Sequence, residues 1–126
     1  MESLISLLIE QRASIHLALH MLIPALVAAF LARGQVKRIF IILMSTMLVD
    51  LDHLLAVPIY AANRCSIWFH PLHTLVPIIV YIFMMFWPLL VKGKKHRLVG
   101  WIGAGLVIHM SLDALDCWWM SCSIGV

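Results

Sequence analysis

The stretch "IFIILMSTMLVDLDHLLAV", Ile39–Val57, has the length and greasiness of a membrane-crossing segment, yet its second half carries Asp50, Asp52 and His53. Crossing a hydrocarbon layer takes about 20 apolar residues as a helix. A lipid-facing strand edge would leave backbone groups unpaired, so helix is the form such a segment takes. A charged side chain at mid-membrane costs at least about 2.5–3.5 kcal/mol. Two carboxylates and an imidazole within four positions must therefore meet partners from elsewhere in the chain.

The rest of the sequence supplies both the membrane class and the partners. The chain has 126 residues, enough for one domain, 1–126, with no internal repeat. It is 63% hydrophobic and 12% charged, with a mean hydropathy of +1.02. Soluble domains are about 45–50% apolar and about 25% charged. The expected class is an all-α integral membrane protein. Four spans can be drawn, at about 14–32, 39–57, 71–91 and 98–120. Pro24, Pro77 and Pro88 fall inside spans as potential kinks.

Charge sets the direction of the spans. "RGQVKR" (Arg33–Arg38) and "KGKKHR" (Lys92–Arg97) hold seven of the nine Lys and Arg residues. Both fall on one side of an up-down-up-down bundle, and the positive-inside rule makes that side cytoplasmic. The linker around Ala61–Ile67 and both termini then face outward. Trp68, Trp118 and Trp119 fall at the outer ends, as an interfacial belt would. The segment Met1–Ser14 carries Glu2 and no basic n-region, so it reads as an interfacial helix or an extension of the first span, not a cleaved signal. Two short basic clusters flanking apolar spans exclude nucleic acid as the partner and point to membrane lipid.

All four aspartates and six of the seven histidines lie within or at the edge of these spans. His16 and His20 are i, i+4. Asp50 and His53 are i, i+3, and so are His70 and His73 if Pro71 opens the third helix. His109, Asp113 and Asp116 form an i, i+4, i+7 stripe. At about 1.5 Å per residue, His20, Asp50, His53, His73, His109 and Asp113 all lie roughly 18–28 Å from the basic ends. Four separate segments thus place polar groups in one layer, in the outer half of the membrane.

No lysine lies in that layer, so the cation suited to these carboxylates is a metal. Imidazole nitrogen with carboxylate oxygen fits zinc, and also iron or manganese. The candidate ligands are His16, His20, Asp50, His53, His70, His73, His109 and Asp113. They exceed one tetrahedral site, and two ions can be accommodated. Taken singly, each such residue is more often an interhelical hydrogen bond than a ligand; taken jointly, their shared depth favours metal. Asp52 points about 100° from His53 on an α-helical wheel, which leaves it between ligand and support. Asp52 and Asp116 are the candidate proton-transfer carboxylates. Arg64 is either a snorkelling residue or a clamp for an anionic substrate. Cys65, Cys117 and Cys122 all fall on the outer side, where an oxidising compartment would let Cys65 pair with a fourth-helix cysteine.

The order His16–His20, then "DLDH", then His73, then "HMSLD" resembles a bacterial family of small inner-membrane metal-dependent hydrolases, in a short four-helix branch. The likeness covers the chain from His16 to about Met120, and "DLDH" with the HxxxD of His109–Asp113 are its most specific parts. That family is in turn distantly similar to zinc-dependent phospholipases C and single-strand nucleases. The resemblance implies Asp50, His73, His109 and Asp113 as ligands and a site in the bacterial inner membrane. The chain is far shorter than those multinuclear enzymes. The function expected is metal-assisted hydrolysis of a lipid or polyprenyl phosphoester at the outer face. The alternatives are a metal-ion or proton transporter, and a structural or regulatory subunit held together by its polar layer. The cytoplasmic halves of the spans contain no ionisable group, which weighs against a transport path. Four short helices also suit a homo-oligomer, in which a partner copy helps enclose the site.

Overall fold

The computed structural model describes residues 11–59, 61 and 64–124, and every regular element among them is helical. Residues 1–10, on which most of the N-terminal expectation rests, lie outside that set. The order is α1 (Arg12–Leu31), α2 (Val36–Ser45), a 3₁₀ segment (Thr46–Leu55), a 3₁₀ turn (Pro71–His73), α3 (Leu75–Leu90) and α4 (Lys94–Ile124). α1 and α4 are long and apolar enough to cross a membrane, and α3 is a shorter apolar helix. α4 is the hub: α1, α2, α3 and the long 3₁₀ segment all pack on it.

The second apolar stretch departs from the single α-helix expected over 39–57. It begins as α2 and tightens to 3₁₀ at Thr46. The Ser45 hydroxyl donates to the Ile42 carbonyl at 2.7 Å and the Thr46 hydroxyl to the Leu43 carbonyl at 2.6 Å. Such back-bonding competes with the i→i−4 ladder and favours the tighter turn. The change of period decides which side chains face inward. Three residues per turn put Thr46, Val49 and Asp52 on one stripe, and these are the buried residues of the segment. Asp50 and His53 form the neighbouring row.

The third stretch also begins later than expected. A helix running from Pro71 would place Pro77 in its interior, where the ring clashes with the His73 carbonyl. Instead, one 3₁₀ turn ends at His73, Thr74 is extended, and α3 starts at Leu75. Pro77 then sits in the first turn, where no N–H is required. His70 and His73 are therefore not on one helical face. The Tyr81 hydroxyl donates to the Leu72 carbonyl at 3.2 Å and fastens this turn to α3.

Glycines on α4 set how closely its neighbours approach. A Cβ at Gly103 would meet the backbone of Met84 and Met85, so α3 lies directly against this position. A Cβ at Gly105 would come within 2.7 Å of Thr46 Cγ2, where the 3₁₀ segment begins. Gly103→Val is expected to destabilise the fold by about 1–3 kcal/mol through overpacking. Thermal unfolding in detergent would show it; an unchanged midpoint would mean that α3 is not held at this crossing.

The buried residues of the described set mix apolar side chains with histidines and aspartates, while much of the exterior is apolar. Among the largest fully buried side chains are His20, His70 and His73, alongside Leu43. Phe30, Leu55, Val57, Val76 and Leu89 are each more than 70% exposed. An exposed apolar exterior around buried imidazoles is the distribution that a lipid solvent favours.

Candidate metal centre

Two sets of side chains converge on Asp113 of α4, each gathering ligand atoms closely enough to hold an ion. The first joins Asp50, His73, His109 and Asp113. Asp50 Oδ1 lies 2.9 Å from His109 Nε2 and 3.4 Å from His73 Nε2. Asp113 Oδ2 lies 3.1 Å from His73 Nε2 and 3.5 Å from His109 Nε2. A tetrahedron with metal–ligand bonds of about 2.0–2.1 Å has edges of about 3.3–3.4 Å. The four contacts scatter about that length.

The second set uses the other oxygen of the same carboxylate. Asp113 Oδ1 lies 3.4 Å from His16 Nε2 and 3.4 Å from His20 Nε2. One carboxylate thus faces two groups of imidazoles, one with each oxygen. His20 is held by its own helix, with its Nδ1 2.9 Å from the His16 carbonyl. If Nδ1 carries the proton, the Nε2 lone pair is left for a ligand.

Hydrogen bonding accounts for the contact of His109 Nε2 with Asp50 Oδ1 at 2.9 Å but not for the other buried atoms. His20 Nε2, His73 Nε2 and Asp113 Oδ2 are buried without a hydrogen-bond partner, as is His109 Nδ1 on the far edge of its ring. A buried polar atom without a partner costs about 1–3 kcal/mol. His73 Nε2 and Asp113 Oδ2 belong to the first set and His20 Nε2 to the second, so each set contains a buried atom that a cation would satisfy. Oxygen with imidazole nitrogen suits zinc and other divalent transition ions.

Asp52 occupies a different position. Its Oδ2 accepts the Leu72 N–H at 2.8 Å and faces His73 Nδ1 at 3.1 Å. Its Oδ1 faces His53 Nδ1 at 3.0 Å. The carboxylate fixes the Pro71–His73 turn and directs His73 Nε2 toward Asp50 and Asp113, the arrangement that orients metal-binding histidines. Asp52→Asn is expected to weaken metal affinity by roughly 10–100-fold without removing a donor of the Asp50/His73/His109/Asp113 set. A competitive chelator titration would measure this.

The remaining candidates lie around these sets. His53 uses Nδ1 on Asp52, and its Nε2 lies 3.2 Å from the Ser66 hydroxyl. Asp52, His53 and His73 also lie close enough to form a third potential ligand group, although Nδ1 of both rings faces the Asp52 carboxylate. His70 stacks on His53 with ring centroids 3.6 Å apart. Burial pushes the His70 imidazole below its ordinary pKa, and the adjacent His53 adds to the shift. Asp116 pairs with Arg12 at 3.3 Å. Arg64 donates to the carbonyls of Pro58 and Ile59 at 2.7 and 2.6 Å and lies over the Phe69 ring. The structure therefore brings neither Asp116 nor Arg64 to the Asp113 cluster, and it gives Arg64 the part of a loop brace.

Cys65 is joined to Cys117 by a disulfide. This ties the loop before His73 to α4, one helical turn beyond Asp113. The Cys122 side chain lies outside the described set. Ser66 and Tyr81 also support the site, and neither has a spacing signal in the sequence that could have singled it out.

No curated protein matches the chain, and no solved structure matches it. The profile of the family of unknown function DUF6122 matches residues 10–120. The chain is therefore a member of the DUF6122 family.

Proposed function

We propose that this protein is an integral membrane, metal-dependent hydrolase with a two-ion centre in the outer half of a four-span, up-down-up-down bundle. The single observation that carries the proposal is the division of Asp113, with one carboxylate oxygen toward His16 and His20 and the other toward His73 and His109. A carboxylate shared between adjacent donor sets is suited to holding two metal ions side by side.

The membrane placement rests on three features. α1 and α4 have the length and hydropathy to cross a bilayer. The basic clusters gather at one end of α4, and Cys117 sits about 30 Å away along the helix, close to one hydrocarbon thickness. Basic residues favour the cytoplasmic side and disulfides the oxidising one, so the two signals agree. Both termini would then face outward from the bacterial inner membrane.

The two sets suit different tasks. Asp50, His73, His109 and Asp113 supply four protein donors, the closed pattern of a structural ion. His16, His20 and Asp113 supply three, the pattern that leaves one coordination position unfilled by protein. Bound zinc would lower the pKa of a water toward about 7 and stabilise negative charge on a phosphoryl oxygen. The chain's own residues hold the donors in place and control access. Asp113 is 3% exposed, whereas the His16 side chain is 32% and that of Asp50 37% exposed. Approach is thus past His16 and Asp50.

An outward-opening site at the headgroup layer favours a lipid or polyprenyl phosphoester. Purified protein would be assayed on bis(p-nitrophenyl) phosphate and on a panel of lipid phosphomonoesters and phosphodiesters. Hydrolysis that EDTA abolishes and zinc restores is the expected result. Metal-loaded protein that is inert on the whole panel would leave a metal-bound structural or transport role.

A further inference from the structure

At the end of the molecule opposite the aspartates, α1, α2 and α4 enclose a cavity of about 540 Å³. Arg33, Arg38, Lys94 and Arg97 line it, together with Trp101 and Ile39. Every aspartate of the chain lies at the other end; Asp113 is about 24 Å along α4 from Arg97. Among the described residues, therefore, no carboxylate of this chain neutralises the four cations. Arg38 has the Gln35 side chain as a neutral partner at 3.3 Å. Gln35 provides no side-chain cap to α2, so the positive end of that helix also opens on this side.

A shallow, open surface groove adjoins this cavity and shares Gln35, Arg38, Ile42 and Leu98 with it. Its further lining is Gly34, Val36, Lys37 and Ile41, with Val36 and Ile41 giving the apolar wall and Lys37 a further cation. A cationic chamber that continues into an apolar-walled groove matches one kind of molecule, with an anionic head and a hydrocarbon tail. Basic residues acting only as topology signals need no cavity and no adjoining groove. Basic pockets between helices on the cytoplasmic side are where anionic headgroups bind.

We propose that this cavity and the groove form a binding site for an anionic phospholipid of the cytoplasmic leaflet. The phosphate lies among Arg33, Arg38, Lys94 and Arg97, and one acyl chain follows the groove past Ile42 and Leu98. The site rests on the membrane placement given above and is independent of the metal centre.

The full-length protein would be delipidated in detergent and titrated with phosphatidylglycerol, phosphatidylcholine or inorganic phosphate, with bound lipid counted by native mass spectrometry. Phosphatidylglycerol is expected to bind in preference to phosphatidylcholine, and inorganic phosphate at equal concentration should not displace it. R38Q/R97Q should weaken phosphatidylglycerol binding by about 30-fold. K92Q/K95Q removes the same charge outside both the cavity and the groove and should change binding by less than about 3-fold, the screened effect of surface charge. Leu98→Trp, which fills the junction and keeps all four cations, should also reduce binding. Equal losses in the two double variants would overturn the proposal, as would full displacement by inorganic phosphate or no preference for the anionic lipid. Metal content should be unchanged in every variant, which separates failure of this site from failure of the hydrolase proposal.

Discussion

Asp113→Asn is expected to empty both halves of the centre and to bring hydrolysis to the background rate. The side chain is buried and offers one oxygen to each donor set. The substitution preserves shape but removes the only negative charge common to the two sites. Taking one partner from a buried charged pair costs about 3–5 kcal/mol, equivalent to a factor of roughly 10²–10⁴. His16→Ala provides the contrast, because it touches only the three-donor set. It should leave one ion bound and still stop turnover. Metal content and phosphodiester hydrolysis measured on both variants give the result. If Asp113→Asn retained the metal content of the parent protein, the carboxylate would not be a bridge.

Cys65→Ser is expected to produce the largest loss of stability. The disulfide joins positions 52 residues apart. Closing a loop of that size restricts the unfolded chain by about 4 kcal/mol on the chain-entropy account. The loop it tethers carries Ser66, His70 and His73, and its other end is fixed four residues beyond Asp113. The variant should therefore unfold at a lower temperature and also bind metal more weakly, since His73 loses part of its anchorage. Reducing agent should reproduce the effect on the parent protein and leave the variant unchanged. A parent protein insensitive to reductant would show that the loop is held by its hydrogen bonds alone.

The helical class and the chief ligand candidates were legible in the sequence because both follow from hydropathy and spacing. His16 with His20, and His109 with Asp113, are i, i+4 pairs on α-helices, and the structure brings both pairs to one place. The second apolar stretch was less legible. Apolar periodicity in Ile39–Val57 does not reveal that hydroxyl back-bonding at Ser45 and Thr46 changes the helix type. An α-helical wheel therefore left Asp52 without a clear role, whereas the 3₁₀ period places it on the buried stripe beneath His73. Pro71 looked like a helix start, but Pro77 moved that start to Leu75 and turned His73 into a loop ligand candidate. Asp116 continues the His109–Asp113 stripe and Arg64 falls in the outer linker, but spacing names a partner for neither. Their neighbours Pro58, Ile59 and Arg12 come together only through the tertiary fold. The close crossings at Gly103 and Gly105 were present in the sequence as small residues on a long helix, a pattern that marks contact but does not name the partner.

The most direct test of the two-ion centre is the ratio of bound metal to protein. Protein purified in detergent without added chelator would be analysed by inductively coupled plasma mass spectrometry, and the ions placed by anomalous scattering. The expected result is two divalent ions per chain, one between His16, His20 and Asp113 and the other among Asp50, His73, His109 and Asp113. Protein that is folded, holds no transition metal and takes none up from zinc-supplemented buffer would contradict it.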